Sequence, residues 1–180
     1  MKTKIKILIV GLFFLMGLGI SANAQGNHKE TANASATAKV IKALTIANTS
    51  NLEFGTFAGR NSEASTVVVD INGSRTGTAD LIGTDGVAGT FTITGEPGSI
   101  VSITLPSATV NLVGTGVAVG GTNMTIGAGT WVTNQVSNSS VTLTADTGIV
   151  TLKVGATLAV GAAQQAGPYS GTFSVSVNYN

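Results

Sequence analysis

From Tyr169 to Tyr179 the chain alternates without a break. Tyr169, Gly171, Phe173, Val175, Val177 and Tyr179 hold one parity, and Ser170, Thr172, Ser174, Ser176 and Asn178 hold the other. Successive side chains of a strand point to opposite faces, so this period of two selects an extended strand. The pattern predicts a C-terminal strand with its apolar face in a core and its polar face in water. A strand needs partners along its edges, and the rest of the chain has to supply them.

Strand signals fill the chain upstream. Ala32, Ala34, Ala36, Ala38 and Val40 alternate with polar residues, a second period-two stretch built from small side chains. Leu44–Ala47 reads as a short strand and Asn48–Asn51 as a turn. Leu52–Phe57 follows. Ser65–Ile71 is rich in β-branched residues and is closed by the turn pair Asn72-Gly73. Gly89–Thr94 and Ser99–Leu105 flank Gly95-Glu-Pro-Gly98, which predicts a hairpin between them. Short candidates at Thr78–Ile82, Val110–Val113, Asn123–Ile126, Thr130–Val132, Val141–Thr144, Gly148–Leu152 and Ala156–Val160 lead to the last strand. Turn signals recur about every eight to twelve residues and no stretch carries the helical period. The expected fold is an all-β, immunoglobulin-like antiparallel sandwich.

The N-terminus has a different character. Lys2, Lys4 and Lys6 precede an apolar run from Ile7 to Ile20, and Ala22 and Ala24 occupy the small-residue positions of a cleavage site. The run is shorter than the roughly 20 residues that span a bilayer. Residues 1–24 are therefore expected to be a signal peptide, 25–31 a flexible leader, and 32–180 one sandwich domain with 32–40 a candidate donor strand. Without the three leader lysines, six basic residues stand against eight acidic ones, and the net charge of +1 becomes −2. That balance points away from nucleic acid as a partner. No later stretch reads as a transmembrane helix. The chain has no cysteine, so an exported product would rest on packing and strand pairing without disulfides.

Chemistry-bearing residues are sparse. His28, the only histidine, sits in the leader, which argues against a Ser-His or Cys-His dyad. Most of the carboxylates, Glu53, Glu63, Asp70, Asp80, Asp85, Glu96 and Asp146, stand beside turn residues. Asp70-Ile-Asn72-Gly-Ser74 has oxygen ligands at alternate positions but lacks the further acidic ligands of a calcium loop, and a hairpin turn explains it better. No catalytic, metal or cofactor site is expected. Gly-Thr-aromatic recurs at Phe57, Phe91, Trp131 and Phe173, which reads as four core anchors rather than a binding strip.

Several segments together carry a family resemblance. They are Ala43–Ile46, Asn51–Phe57, Phe91–Gly98, Ser102–Pro106, Leu152–Leu158 and Ala166–Asn180. With them the chain resembles a bacterial family of unknown function related to the Mat/Ecp-type common-pilus major subunits. The resemblance implies a pilin-type sandwich, export, and a surface or fimbrial role. The closing strand is also similar to that of chaperone–usher pilins: Gly167 is fourteenth from the end, Phe173, Val175 and Val177 alternate, and Tyr179 is penultimate. The cysteine pair of many such pilins is absent, and Pro168 follows the glycine.

The expectation is an exported, non-enzymatic subunit found in the periplasm, on the cell surface or secreted. Its expected partners are copies of itself and a periplasmic chaperone with an outer-membrane usher, and it would assemble by β-strand complementation. Gly167, Tyr169, Phe173, Val175, Val177 and Tyr179 would form one side of that assembly, and Ala32, Ala34, Ala36, Ala38 and Val40 the donated strand. The alternative is a monomeric secreted sandwich that binds a surface glycan or protein. Sequence leaves open whether 32–40 pairs within its own chain or with another.

Overall fold

The computed structural model describes residues 29–83, 86–135 and 140–180. The expected signal peptide, the start at Gln25, His28 and Asp85 lie outside the described residues. The chain divides into two units, 1–39 and 40–180. In the first, the described residues 29–39 are exposed and form no strand. The alternation of Ala32 to Ala38 therefore does not produce a strand there. Alanine has weak strand preference and little apolar area to bury.

Among its described residues the second unit holds fourteen strands. They begin with β1 (Thr45–Ser50), β2 (Thr56–Ala58), β3 (Ser65–Val69), β4 (Arg75–Gly77) and β5 (Asp80–Ile82). Next come β6 (Gly89–Thr94), β7 (Ile100–Thr104), β8 (Val110–Gly114), β9 (Met124–Ile126) and β10 (Val132–Thr133). The chain ends with β11 (Ser140–Thr142), β12 (Ile149–Val160), β13 (Tyr169–Ser170) and β14 (Ser176–Tyr179). Every pairing among them is antiparallel. The fold class is thus all-β and sandwich-like, as the turn spacing predicts, and it is compatible with an immunoglobulin-like arrangement.

β12 is the spine. Its first half pairs with β6, Leu152 opposite Phe91, and its second half with β3, Leu158 opposite Val67. On its other side β10 meets Val154 and Gly155, and β9 meets Leu158 and Ala159. The large sheet runs β1-β6-β12-β9-β8-β13, a second sheet runs β11-β7-β14, and β2-β5 form a separate ribbon. Leu152, Val154, Ala156, Leu158 and Val160 are all buried, so one parity of a single strand feeds both cores.

In one core Phe91, Ile93, Leu152 and Val154 meet Val101, Ile103 and Leu143, with β7 and its neighbours as the opposite layer. In the other, Val67, Val69, Ile126, Leu158 and Val160 pack with Phe54 and Ala79, next to the small ribbon. Each fully buried aliphatic side chain contributes about 1.5–3 kcal/mol of transfer free energy.

Three local expectations change. Residues 95–98 do not close a hairpin: β6 lies in the large sheet and β7 in the second, so the loop carries the chain between layers. Asn48–Ser50 belongs to β1, with a register shift against β6 where a turn is expected. The candidates at 148–152 and 156–160 are one strand, because Gly155 continues it. An added Cβ at Gly155 would run into the carbonyl of Val69, so the close approach of strands explains the glycine that looks like a break in the sequence.

Candidate functional site

The C-terminal alternation is present, but it serves two sheets. Tyr169 and Ser170 pair with Gly114 and Val113 of β8, whereas Ser176 to Tyr179 pair with Thr104 to Val101 of β7. Tyr169, Phe173, Val175, Val177 and Tyr179 are each half-buried, and the residues between them are exposed. Tyr169 packs on the core around Leu158, and the other four on the core around Leu152. Between the two strands, residues 171–175 pair with no strand, and among the described residues their backbone groups make no hydrogen bond. The sequence predicts one continuous strand there. The crossing from one sheet to the other interrupts it.

Residues 171–173 of that stretch border a cleft of about 1270 Å³. One wall is the chain from Asn51 to Gly59, and the other runs from Gln164 to Phe173. The floor comprises Met124, Ile126, Leu158 and Val160, with Leu112 beside them. Across the core around Leu152 the opposing layer is a three-stranded sheet, but across the core around Leu158 it is the short β2-β5 ribbon. The cleft lies on the side of this second core, and its floor residues are themselves buried.

Both walls are held by specific bonds. Arg75, on β4, donates from Nη1 to the carbonyls of Phe54 (3.0 Å) and Thr56 (2.7 Å), and from Nη2 to that of Ile82 (3.0 Å). On the far wall the Tyr169 hydroxyl donates to the Gln165 carbonyl at 2.8 Å and accepts from Gln164 Nε2 at 2.7 Å. Gln164 Nε2 also donates to the Thr122 carbonyl. Gly167 has a φ of 142°, which an L side chain rarely adopts. Its place fourteenth from the end therefore meets a backbone requirement. Thr115 N–H then donates to the Pro168 carbonyl at 2.8 Å, tying this wall to the end of β8.

Phe173 closes one end of the cleft. Its ring meets Phe91 edge-on at 6.0 Å and Trp131 at 4.7 Å. Three of the four Gly-Thr-aromatic residues therefore gather in one aromatic group, while Phe57 packs on the other core. They are core anchors, as the sequence reading has them, and Phe57, Phe91 and Phe173 also line the cleft.

The other expected assembly residues stand apart from this group in sequence. Ala32, Ala34, Ala36, Ala38 and Val40 are exposed, Val40 at 94%. The carboxylates are dispersed. Asp70 Oδ1 accepts from the backbone N–H groups of Asn72 (2.8 Å) and Ser74 (2.9 Å), so it caps its turn. Glu63 pairs with Arg60 at 2.9 Å, and Glu96 accepts from Lys42 N–H at 3.0 Å. Asp80 and Asp146 are exposed. Among the described residues Glu53 is the one carboxylate lining the cleft, and no three acidic or histidine side chains cluster as metal ligands do.

Fold and cleft together define an antiparallel β-sandwich with a cleft beside one of its two cores. Residues 44–179 match the model of a family described as a domain of unknown function (DUF4402), and the chain belongs to that family. No curated protein and no solved structure matches it.

Proposed function

We propose that this chain is an exported, non-enzymatic structural subunit that assembles by β-strand complementation, with the cleft as the acceptor. The observation that carries the reading is the run 171–175, which pairs with no strand and whose first three residues line the cleft together with Met124, Ile126, Leu158 and Val160. An incoming strand would satisfy those backbone groups and fill the cleft with alternate side chains. Ala32–Val40 is the candidate donor, exposed and alternating, with side chains small enough to lie along a floor that is already well packed.

The resemblance to common-pilus and chaperone–usher subunits supports a fimbrial setting, with copies of the chain, a periplasmic chaperone and an outer-membrane usher as partners. Deleting residues 25–40 tests the donor. The truncated chain should fold and remain monomeric where the mature chain forms polymers. Polymers from the truncated chain would refute donation by this segment.

A second reading has one observation in its favour. Amide side chains of Asn48, Asn51, Asn61, Gln164 and Gln165 line the cleft beside Tyr169, a composition that suits a glycan. A monomeric mature chain retained on a glycan matrix would favour this reading.

A further inference from the structure

We infer that the β2-β5 ribbon is a strap which opens locally, with Arg75 as its clasp, and that its opening controls entry to the cleft. The role in entry rests on the acceptor reading above; the local opening does not. Three observations support the strap. β2 and β5 are three residues each and pair only with one another, unlike every strand of the two larger sheets. A lone two-stranded ribbon is marginally stable in water. All of β5 is exposed, including Leu81 and Ile82, and of β2 only Phe57 is half-buried.

The strap is fixed differently at its two ends. At the Ala58/Asp80 end, Ala79 is buried and its N–H donates to the Thr66 carbonyl at 3.1 Å. At the Thr56/Ile82 end, the flanking Gly55 and Gly83 have φ of 68° and 77°, a conformation glycine adopts at no steric cost. That end is gripped by the Arg75 guanidinium, which collects the carbonyls of Thr56 and Ile82 and that of Phe54 just before β2, and beyond it Glu53 and Val87 exchange two backbone hydrogen bonds at 2.8 and 2.9 Å. A single cation with three carbonyl acceptors holds firmly and releases as a unit. The Arg75 Nε is buried without a partner, so the guanidinium is placed for its carbonyl contacts alone. Because β2 belongs to the wall 51–59, opening at this end widens the cleft beside its apolar floor.

Native-state hydrogen exchange on the full mature chain, with no peptide present, tests the strap. Amides of β2 and β5 should exchange at least about 100-fold faster than those of β12, with weak dependence on denaturant, as local openings do. Arg75→Met should speed β2 and β5 about tenfold further while β12 moves less than about threefold. If β2 and β5 are as slow as β12 and follow it with denaturant, the strap is part of the cooperative core and the inference fails. That comparison needs only the unaltered chain, so it stands even if Arg75→Met does not fold. A peptide of residues 31–40 then tests the gate. Binding that protects 171–175 should also slow β2 and β5, and protection of 171–175 alone would overturn the gating role. Absence of any peptide binding would count against the acceptor reading and leave the exchange result intact.

Discussion

The Tyr179 hydroxyl accepts a hydrogen bond from the backbone N–H of Glu96 at 2.6 Å. The same hydroxyl donates to the Lys42 carbonyl at 2.7 Å. The penultimate residue therefore joins the loop that changes sheets to the strand entry before β1. Gly95 is part of the same joint, since an added Cβ there would collide with the Tyr179 hydroxyl and approach Leu143. Tyr179→Phe keeps the ring and leaves a part-buried N–H unpaired. It should lower stability by about 1–3 kcal/mol in urea unfolding. An unchanged midpoint would mean that water replaces both bonds.

At Gly155, β12 passes close to both of its neighbours. Gly155→Ala would press against the Val69 carbonyl and come within 3.0 Å of the Val132 side chain. The expected loss is about 2–4 kcal/mol, read by thermal unfolding, because backbone on both sides has to shift. A loss under about 0.5 kcal/mol, the range of ordinary surface changes, would contradict the close approach.

Ala163 is the one non-glycine residue with positive φ among those described, at 50°, and its N–H is bonded to the Arg60 carbonyl at 2.8 Å. Ala163→Gly removes the steric cost of that conformation, about 1–2 kcal/mol, against an entropic cost of about 0.5–1 kcal/mol. The variant should be more stable by about 0.5 kcal/mol in denaturant titration. A clear destabilisation would show that the alanine methyl packs usefully.

Leu152 and Leu158 sit six residues apart on β12 and belong to different cores. Leu152→Ala and Leu158→Ala should each lower stability by about 2–5 kcal/mol. One strand holds both cores, so each variant should unfold in a single transition by fluorescence and circular dichroism alike. Two separated transitions in either variant would show that the cores are independent.

Much of this architecture is legible in local pattern. β3, β6, β7 and β8 lie where β-branched residues and period-two alternation place them, because such strands bury one face and carry their own signal. The misreadings share a cause in long-range contact. Gly155 reads as a break and is a crossing point. Gly95–Gly98 reads as a hairpin and is a change of layer, which only the partners of β6 and β7 reveal. The interruption at 171–175 has no local signal, since Tyr169 to Tyr179 alternate evenly through it. The cleft is less legible still: its walls are about a hundred residues apart in sequence and its clasp, Arg75, lies on a third segment. The closing residues of the strand were readable as candidates, but the wall at 51–59 and Arg75 were not.

If the unpaired backbone at 171–175 receives a strand, its amides become hydrogen-bonded on assembly. Amide exchange at these positions in the mature chain, compared between monomer and assembled material, tests it most directly. The 171–175 amides should pass from rapid exchange to protection by at least about 100-fold on assembly. Assembled material in which those amides still exchange as fast as in the monomer would contradict it.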